Sequence, residues 1–205
     1  TGSGKTTLIN LLTRFYDVQE GAILLDGHDL RRYRLGELRQ AFGVVLQDTA
    51  LFGTTIRENI SYGHRDVSLE QVREAARVAG ADGFIQRLPQ GYETVLHQGG
   101  AELSQGERQL LTIARAVLNH APIMILDEAT SSVDTVTEQH IRQAMLAITR
   151  GRTSFIIAHR LSTIRDSDLI LLIQDGRIAE QGTHSQLMDL GGEYARMYMT
   201  QMGMG

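Results

Sequence analysis

The fold is decided by the opening segment Thr1-Gly2-Ser3-Gly4-Lys5-Thr6-Thr7, which leads directly into an apolar stretch with helical spacing. Glycines let the backbone wrap closely around phosphate oxygens, and the helix N-terminus supplies unpaired N–H donors and the positive end of a dipole. The segment matches the end of the pattern G-x-x-x-x-G-K-[ST], in which the lysine reaches terminal phosphates and the hydroxyl binds Mg²⁺. We therefore predict that residues 2–7 bind phosphate. A turn that only caps the helix is the structural alternative.

Lys5 is the only lysine among the 20 lysine and arginine residues of the chain. A coding bias toward arginine would explain this composition, but a planar guanidinium does not replace a compact ammonium on a flexible stem. Because Lys5 lies in a glycine-rich loop, we favour the second explanation, in which position 5 needs an ammonium group. The chain also begins inside this loop without a methionine, so we expect an upstream part that carries the first glycine of the pattern.

The composition indicates a folded globular chain. Of its 205 residues, 42% are hydrophobic and 21% are charged, which is close to the average for globular domains and excludes a disordered chain. The aliphatic runs at 123–126 and 169–173 are much shorter than the ~18 residues of a membrane span. There are no cysteines, which excludes disulfides and thiolate metal sites. The net charge of -4, without a basic tract, predicts no binding to nucleic acid.

The hydrophobic periodicity alternates between strand and helix patterns, which is typical of an α/β sheet with helices on its faces. We predict strands at 21–25, 42–46, 123–126, 154–158, 169–174 and 177–181, with tight turns at Asp26-Gly27 and Asp175-Gly176. We predict helices at 5–15, 35–40, 55–61, 68–79, 82–88, 104–118, 135–148, 161–165, 184–190 and 193–202. These patterns predict the α/β class, and the glycine-rich loop at 2–7 adds the expectation of a P-loop NTPase core with a mostly parallel sheet. The stretch from about 48 to 118 reads as an inserted helical subdomain.

Polar residues follow three of these predicted strands. Asp127 and Glu128 come after the aliphatic run 123–126, Gln47 follows 42–46, and His159 follows 154–158. Open α/β sheets bind ligands at the carboxyl ends of their strands. Asp127 suits contact with Mg²⁺, and Glu128 suits polarisation of an attacking water. An amide at 47 can bind Mg²⁺ and the water, and an imidazole at 159 can bond a terminal phosphate. A solvated acidic loop and a structural histidine are the alternatives.

The segment Leu103-Ser104-Gln105-Gly106-Glu107 precedes a long apolar helix. Ser104 and Glu107 have the S-x-x-E spacing of a capping box, which satisfies N–H groups at the start of a helix. The same serine and the following glycine also suit a helix N-terminus aimed at a phosphate. The two interpretations are compatible, and spacing alone does not choose between them.

Taken together, the motifs resemble the nucleotide-binding domain of ATP-binding cassette (ABC) transporters, of the exporter type that includes multidrug and lipid exporters. The resemblance covers essentially the whole chain, 1–205, in the family's motif order. The phrase 88–94, Leu-Pro-Gln-Gly-Tyr-Glu-Thr, is similar to exporters more than to importers. The matching segments are the Walker A end (2–7), the Q-loop residue Gln47, the signature (103–107), Walker B with its glutamate (123–128), the D-loop (131–134) and the switch histidine His159.

The resemblance implies an ATPase that uses ATP and Mg²⁺. It implies that Glu128, His159 and Gln47 are the catalytic residues and that Thr6, Gln47 and Asp127 bind the metal. It also implies two sets of nucleotide contacts. These are Gly2, Ser3, Gly4, Lys5, Thr6 and Thr7 in one copy and Ser104, Gln105, Gly106 and Glu107 in the other.

The resemblance further implies partners and a location. Two copies, identical or different, pack head to tail around two ATP molecules, and ATP-driven closure moves transmembrane domains that export a substrate. Gln47 and the helical segment after it face those domains, which places the chain on the cytoplasmic face of a membrane. Because part of Walker A and its strand lie upstream, we expect residues 1–205 alone to bind ATP weakly and hydrolyse it poorly.

The chain departs from the family pattern within the signature. Gln105 replaces a glycine and Glu107 replaces a glutamine, which places a carboxylate near a phosphate site. Repulsion between the two would weaken the site that this signature serves, a hypothesis that the sequence alone does not decide. The segment 97–100 also lacks the acidic–basic pair common in the cross-talk loops of exporters. One weakened site is a feature of some heterodimeric exporters, so an asymmetric partner fits the sequence.

Three other functions are consistent with parts of the pattern. ATPases of DNA repair or chromosome maintenance share the Walker and signature motifs, but they place long coiled coils between positions equivalent to 47 and 103, where this chain has no sustained heptads. A soluble ABC protein of translation would carry two cassettes and basic surfaces. A regulatory module that holds ATP without turnover is favoured weakly by the altered signature and disfavoured by Glu128 and His159.

Overall fold

The structure is a computed structural model that describes residues 4–46, 49–127, 135–158 and 160–203. The helices are α1 (Lys5–Leu12), α2 (Leu35–Gln40), α3 (Ile56–Ile60), α4 (Leu69–Val78), α5 (Asp82–Ile85), α6 (Gln105–Leu118), α7 (Thr135–Thr149), α8 (His184–Leu190) and α9 (Glu193–Gln201). The strands are β1 (Leu24–Leu25), β2 (His28–Asp29), β3 (Phe42–Val45), β4 (Ile123–Asp127), β5 (Thr153–Ile157), β6 (Ile170–Gln174) and β7 (Arg177–Gly182). Short 3₁₀ turns lie at Leu30–Arg32, Gly91–Glu93 and Leu161–Thr163.

The described residues divide into two units. One contains the described residues up to Leu38 together with those from Ile156 onward, and the other contains Arg39–Phe155. The boundary falls inside β5. The second unit holds β3, β4 and the helices α3 to α6 between them, and the bounds of the predicted helical subdomain, about 48–118, stay a prediction.

The strand pairing confirms the predicted parallel sheet and both predicted hairpins. β3 and β4 are parallel neighbours, with Phe42 opposite Ile123, and the order of this sheet is β3-β4-β5. β1 pairs with β2 and β6 with β7 in antiparallel hairpins. The turn at Asp26-Gly27 has φ values of 49° and 78°, and that at Asp175-Gly176 has 48° and 72°. Two successive positive φ angles define the type I′ turn, which matches the twist of the flanking strands and favours Asp-Gly.

Helix α6 is the central helix of the second unit. The apolar face predicted from its sequence is buried, namely Leu110, Leu111, Ala114, Val117 and Leu118. Ile113 and Ala116 are buried as well, so the helix is enclosed on more than one side. It packs against α3, α4 and α7. The helix begins immediately after Ser104, which is its N-cap residue.

The first predicted helix ends earlier than its hydrophobic pattern suggests. It was expected to reach residue 15, but α1 ends at Leu12, and Phe15 is 63% exposed. Arg14 adopts a left-handed conformation with φ 53°. Its guanidinium donates to Asp17 Oδ1 at 2.8 Å and to the carbonyl oxygen of Tyr33 at 3.0 Å. These contacts hold Arg14 outside the helix, and a left-handed residue cannot continue it.

Other element bounds differ by a few residues. The strand expected at 21–25 comprises only Leu24–Leu25, and the helix expected at 82–88 ends at Ile85. Leu88 donates its N–H to the carbonyl oxygen of Ile85 at 3.1 Å. This bond spans three residues, as in a 3₁₀ turn, and not four as in an α-helix. Pro89 follows, and a proline disfavours helical geometry at the residue before it. The chain therefore leaves the helix before the proline.

Gly43 permits the close approach of β3 to β4. A Cβ atom at this position would lie 2.7 Å from the sulfur of Met124, whose side chain is fully buried. We expect Gly43→Ala to lower the free energy of unfolding by about 1–2 kcal/mol, because the thioether must leave its packed position. Urea unfolding of the variant measures this. Combining it with Met124→Val, which removes the obstructing atoms, is expected to recover part of the loss.

Gly36→Ala is the matched control for this prediction. Gly36 lies in α2, and a Cβ there would meet nothing within 4 Å. Alanine has a higher helix propensity than glycine, so this variant is expected to be neutral or slightly stabilising. Equal losses in the Gly36 and Gly43 variants would show that the contact with Met124 is not the cause.

Candidate nucleotide-binding site

The described end of the glycine-rich loop has the geometry of an anion-binding helix start. Gly4 is the N-cap of α1 with φ 95°, and no side chain caps the N-terminus of that helix. This left-handed conformation favours glycine. The Leu8 N–H donates to the Gly4 carbonyl oxygen at 2.9 Å, so the helical hydrogen bonds of α1 begin at its N-cap residue. Thr6 is exposed and Lys5 is half-buried. The backbone N–H groups of the first turn are therefore available to a ligand phosphate.

The second part of the predicted site lies at the end of β4. Ile123, Met124, Ile125 and Leu126 are buried, and Asp127, the last residue of the strand, is half-buried. The sequence predicted this transition from aliphatic side chains to a carboxylate. Within the part of the chain that the structure describes, no cluster of three or more His, Asp or Glu could hold a metal ion. Mg²⁺ in nucleotide sites commonly takes one or two protein groups plus substrate phosphates, so the absence of such a cluster does not decide whether Asp127 binds a metal, and that role stays a prediction.

The third part is the start of α6, where the predicted capping box is present. The Ser104 Oγ accepts the N–H of Glu107 at 3.2 Å, and Glu107 Oε2 accepts both the N–H and the hydroxyl of Ser104 at 2.9 Å each. Ser104 is exposed, Gln105 and Glu107 are half-buried, and Gly106 is buried. The Glu107 carboxylate is therefore held against the serine that the resemblance assigns to phosphate.

Several predicted site residues fall outside the described residues. These are Gly2, Ser3, Gln47, Glu128 and His159. Lys5, Thr6 and Thr7 belong to the first unit, whereas Asp127 and 104–107 belong to the second. Within the second unit, the structure brings Ser104 and Glu107 into direct contact. The roles of all these residues stay predictions.

Sequence reasoning missed one arrangement in the second unit. The Arg115 guanidinium lies over the rings of Phe52 and Tyr62, 5.5 and 5.4 Å from their centroids. The two rings stack on each other at 4.3 Å, and both are exposed, Phe52 by 39% and Tyr62 by 55%. Two features of the sequence could have indicated this arrangement. Arg115 is a charged residue inside the apolar helix predicted at 104–118, and Phe52 and Tyr62 flank the helix predicted at 55–61.

Comparison with known proteins identifies the family. Residues 1–131 match the family described as ABC transporter. The chain belongs to the ABC transporter family. Ser131, the first residue of the D-loop, is the last matched residue, and the rest of the D-loop (132–134) and His159 lie beyond the matched range. The earlier motifs, from the Walker A end to Walker B, lie within it.

Individual ABC relatives agree with this assignment. The ATP-dependent lipid A-core flippase of Syntrophus aciditrophicus (strain SB) is 51% identical over 201 residues, which is 98% of this chain and 33% of the flippase. The fatty acid ABC transporter ATP-binding/permease protein of Mycobacterium tuberculosis (strain CDC 1551 / Oshkosh) is 53% identical over 197 residues, 96% of this chain and 31% of that protein. The chain thus spans about a third of the length of these relatives.

A solved structure supports the fold. A bacterial Atm1-family ABC exporter with ATP bound matches with a TM-score of 0.91 and 48% identity over 98% of this chain and 35% of that exporter. The predicted α/β class with a P-loop NTPase core and a parallel sheet is confirmed. The resemblance to the ATP-binding domains of ABC exporters is confirmed as well. ATP-binding domains of this family are ATPases. None of the described helices is long and apolar enough to cross a membrane.

Proposed function

We propose that this chain is the ATP-hydrolysing domain of an ABC exporter and that its ATP-driven closure moves transmembrane domains that export a substrate. The observation that carries the proposal is the match over 98% of the chain, at 48% identity, to an exporter with ATP bound. The uncapped start of α1 and the carboxylate at the end of β4 are the local features that suit this activity.

In this proposal, different residues of the chain bind the phosphates, hold the metal ion and act on the attacking water. Backbone N–H groups at 2–7 and the Lys5 ammonium bind the phosphates of ATP and orient them. Thr6, Asp127 and Gln47 would hold Mg²⁺, which neutralises phosphate charge when it is bound. Glu128 accepts a proton from the attacking water, and the His159 imidazole bonds the terminal phosphate. The segment Ser104–Glu107 contributes to the site of the second nucleotide-binding domain, which is either an identical or a different copy.

The transmembrane partner and its side of the membrane follow from the same proposal. The relatives are about three times as long as this chain, and one is named an ATP-binding/permease protein. We place the domain at the cytoplasmic face, where ATP is available. The exposed pair Phe52 and Tyr62, in the segment after Gln47, is the apolar surface that suits contact with transmembrane domains, because rigid aromatic side chains dominate many interfaces.

Lys5 provides a direct test, because an amine-reactive reagent has a single lysine target in this chain. In the complete transporter, trinitrobenzenesulfonate labelling of the peptide that carries Lys5 is followed by mass spectrometry. We expect ATP with Mg²⁺ to slow labelling at least about tenfold, the scale of ~1.4 kcal/mol of protection. AMP, which lacks the terminal phosphates, is the matched control. Phosphate release is measured on the same sample.

The outcomes separate the competing functions. Protection by ATP with phosphate release supports an ATPase, and protection without release supports a module that holds ATP without turnover. Labelling that is indifferent to ATP would remove Lys5 from the nucleotide site.

The altered signature gives a further prediction. Glu107→Gln keeps an acceptor for the Ser104 N–H and hydroxyl but removes the negative charge. We expect the ATP affinity of the partner's Walker A site to rise about fivefold, because ~1 kcal/mol of repulsion is lost. Equilibrium binding of a fluorescent ATP analogue to a defined dimer measures the change.

Glu58→Gln is the matched control for the signature variant. Glu58 forms the same kind of capping box with Thr55 at the start of α3, with Oε2 accepting the Thr55 N–H at 3.0 Å. It lies outside the signature, so ATP affinity is expected to stay unchanged. An unchanged affinity in the Glu107 variant too would show that the carboxylate does not repel the phosphate.

A further inference from the structure

Arg115 is a half-buried cation near the end of α6 that binds only neutral groups among the described residues. Its Nε donates to the carbonyl oxygen of Asn59 at 2.8 Å, Nη1 to that of Ala50 at 3.1 Å, and Nη2 to Asn59 Oδ1 at 3.3 Å. Burial lowers the pKa of this guanidinium, but an arginine in a protein stays protonated. The positive charge is therefore stabilised by backbone dipoles and by the two aromatic rings over which it lies.

Asn59 extends this contact to the backbone of Phe52. Its side chain is almost fully buried, Oδ1 accepts the Phe52 N–H at 2.9 Å, and Nδ2 donates to the Phe52 carbonyl oxygen at 3.0 Å. Both backbone groups of Phe52 are thus bound by one amide, and that amide is bound by Arg115. The position of the Phe52 ring, and of the Tyr62 ring stacked on it, depends on this chain of contacts.

The same helix carries a second arginine that holds the segment before the signature. Arg108 Nη1 donates to the carbonyl oxygen of Leu103 at 2.7 Å and to that of Gly100 at 3.4 Å. Arg108 and Arg115 are seven residues apart, about two turns, and therefore lie on one side of α6. One helix thus connects the exposed aromatic pair to Leu103, the residue before Ser104.

We propose that Arg115 is a positioning residue: it fixes Phe52 and Tyr62 to α6, so that the aromatic pair meets the transmembrane domains in one orientation and moves together with the signature. This inference rests on the proposed function, in which the segment after Gln47 faces those domains. The length of the ATP-binding/permease relative outside this chain is the source of the partner segment. An arginine that contacts no carboxylate within the described part of the chain suits this task, because its planar guanidinium binds three oxygens and lies over two rings at once.

The test replaces Tyr62 with p-benzoylphenylalanine, which keeps an aromatic ring and cross-links nearby segments on illumination. In the complete transporter in lipid nanodiscs, we expect the captured peptides to come from the transmembrane domains. Arg115→Lys keeps the positive charge but loses the planar guanidinium with its several N–H donors. We expect this change to lower the cross-linking yield about fivefold, the scale of a lost cation–π contact of ~1 kcal/mol. The KM for ATP is expected to stay unchanged while kcat falls.

Arg73→Lys is the matched control, because Arg73 lies 5.8 Å from the centroid of the Tyr92 ring, away from the aromatic pair. It is expected to leave the cross-linking yield and kcat unchanged. If Arg115→Lys does not fold, Phe52→Leu replaces it. Phe52 is exposed, so Phe52→Leu removes the ring that contacts Arg115 and Tyr62 but leaves the hydrogen bonds of Asn59 and Arg115, which use backbone and amide groups. The same fall in yield is expected.

Each outcome has one meaning. Cross-links to the transmembrane domains that fall in the Arg115 or Phe52 variant but persist in the Arg73 variant support the positioning role. Cross-links to those domains that persist in all variants overturn it and leave the proposed function intact. Cross-links to any other segment, or none, contradict the docking face of the proposed function itself.

Discussion

Glu128→Gln is expected to abolish most ATP turnover in the complete transporter while ATP binding is retained. Glutamine keeps the shape and the hydrogen-bonding capacity of the side chain but cannot accept the proton of the attacking water. Loss of a general base lowers turnover by roughly 10²-fold or more. Because the bound ATP is not hydrolysed, the closed dimer is expected to live longer. Phosphate release measures the turnover, and the dissociation of bound radiolabelled ATP during a chase with unlabelled ATP measures the lifetime of the closed dimer.

The matched control is Glu37→Gln. Glu37 is an exposed carboxylate on α2 that lies 3.9 Å from Arg34, and no site motif includes it. This variant is expected to keep normal turnover and a short-lived dimer. Near-normal turnover in the Glu128 variant would exclude that residue as the base and shift attention to His159 or Gln47.

Glu180→Ala is expected to release the start of α9. Glu180 lies on β7, and its two carboxylate oxygens accept the N–H of Glu193 at 2.6 Å and the N–H of Tyr194 at 3.1 Å. Helix α9 has no side-chain cap from its own N-cap residue, Gly192. Loss of charged hydrogen bonds of this kind costs about 2–3 kcal/mol. Hydrogen exchange of the α9 amides in the complete protein should accelerate at least about 30-fold, since ~1.4 kcal/mol corresponds to a factor of ten.

A second variant examines the same contact from the other side. A Cβ atom at Gly192 would collide with the Glu180 carboxylate, so Gly192→Ala is expected to accelerate exchange in α9 as well. Gly83→Ala is the control, because a Cβ there meets nothing within 4 Å. Unchanged exchange in the Glu180 and Gly192 variants would show that α9 is held by the burial of Tyr194 alone.

The elements with complete local signals were predicted well. Helices α3, α4, α6 and α8 each begin with a serine or threonine that forms a capping box with a glutamate or glutamine three residues later. Both Asp-Gly turns carry the residues that their positive φ angles require. In such segments the residues that decide the structure are adjacent in sequence, so a pattern of a few residues is sufficient.

The features that were missed depend on contacts between distant residues. The end of α1 depends on an arginine that binds the carbonyl oxygen of Tyr33, nineteen positions away. The α9 cap comes from a strand thirteen residues earlier, and Arg115 binds Asn59 across 56 positions. No local pattern contains these pairs. For the nucleotide site, the residue types were readable from sequence, but the capture of the Ser104 hydroxyl by Glu107 required the geometry.

The parallel pairing of β3 with β4 has a consequence for synthesis of the chain. Phe42 pairs with Ile123, and these residues are 123 − 42 = 81 positions apart. At a translation rate of ~5–20 residues per second, β3 leaves the ribosome about 4–16 s before its neighbour exists. During that interval its buried residues, Phe42 and Val45, have no β-strand of the second unit to cover them. The nascent domain is therefore most vulnerable to aggregation and most dependent on chaperones while the segment that contains α3 to α6 is being made.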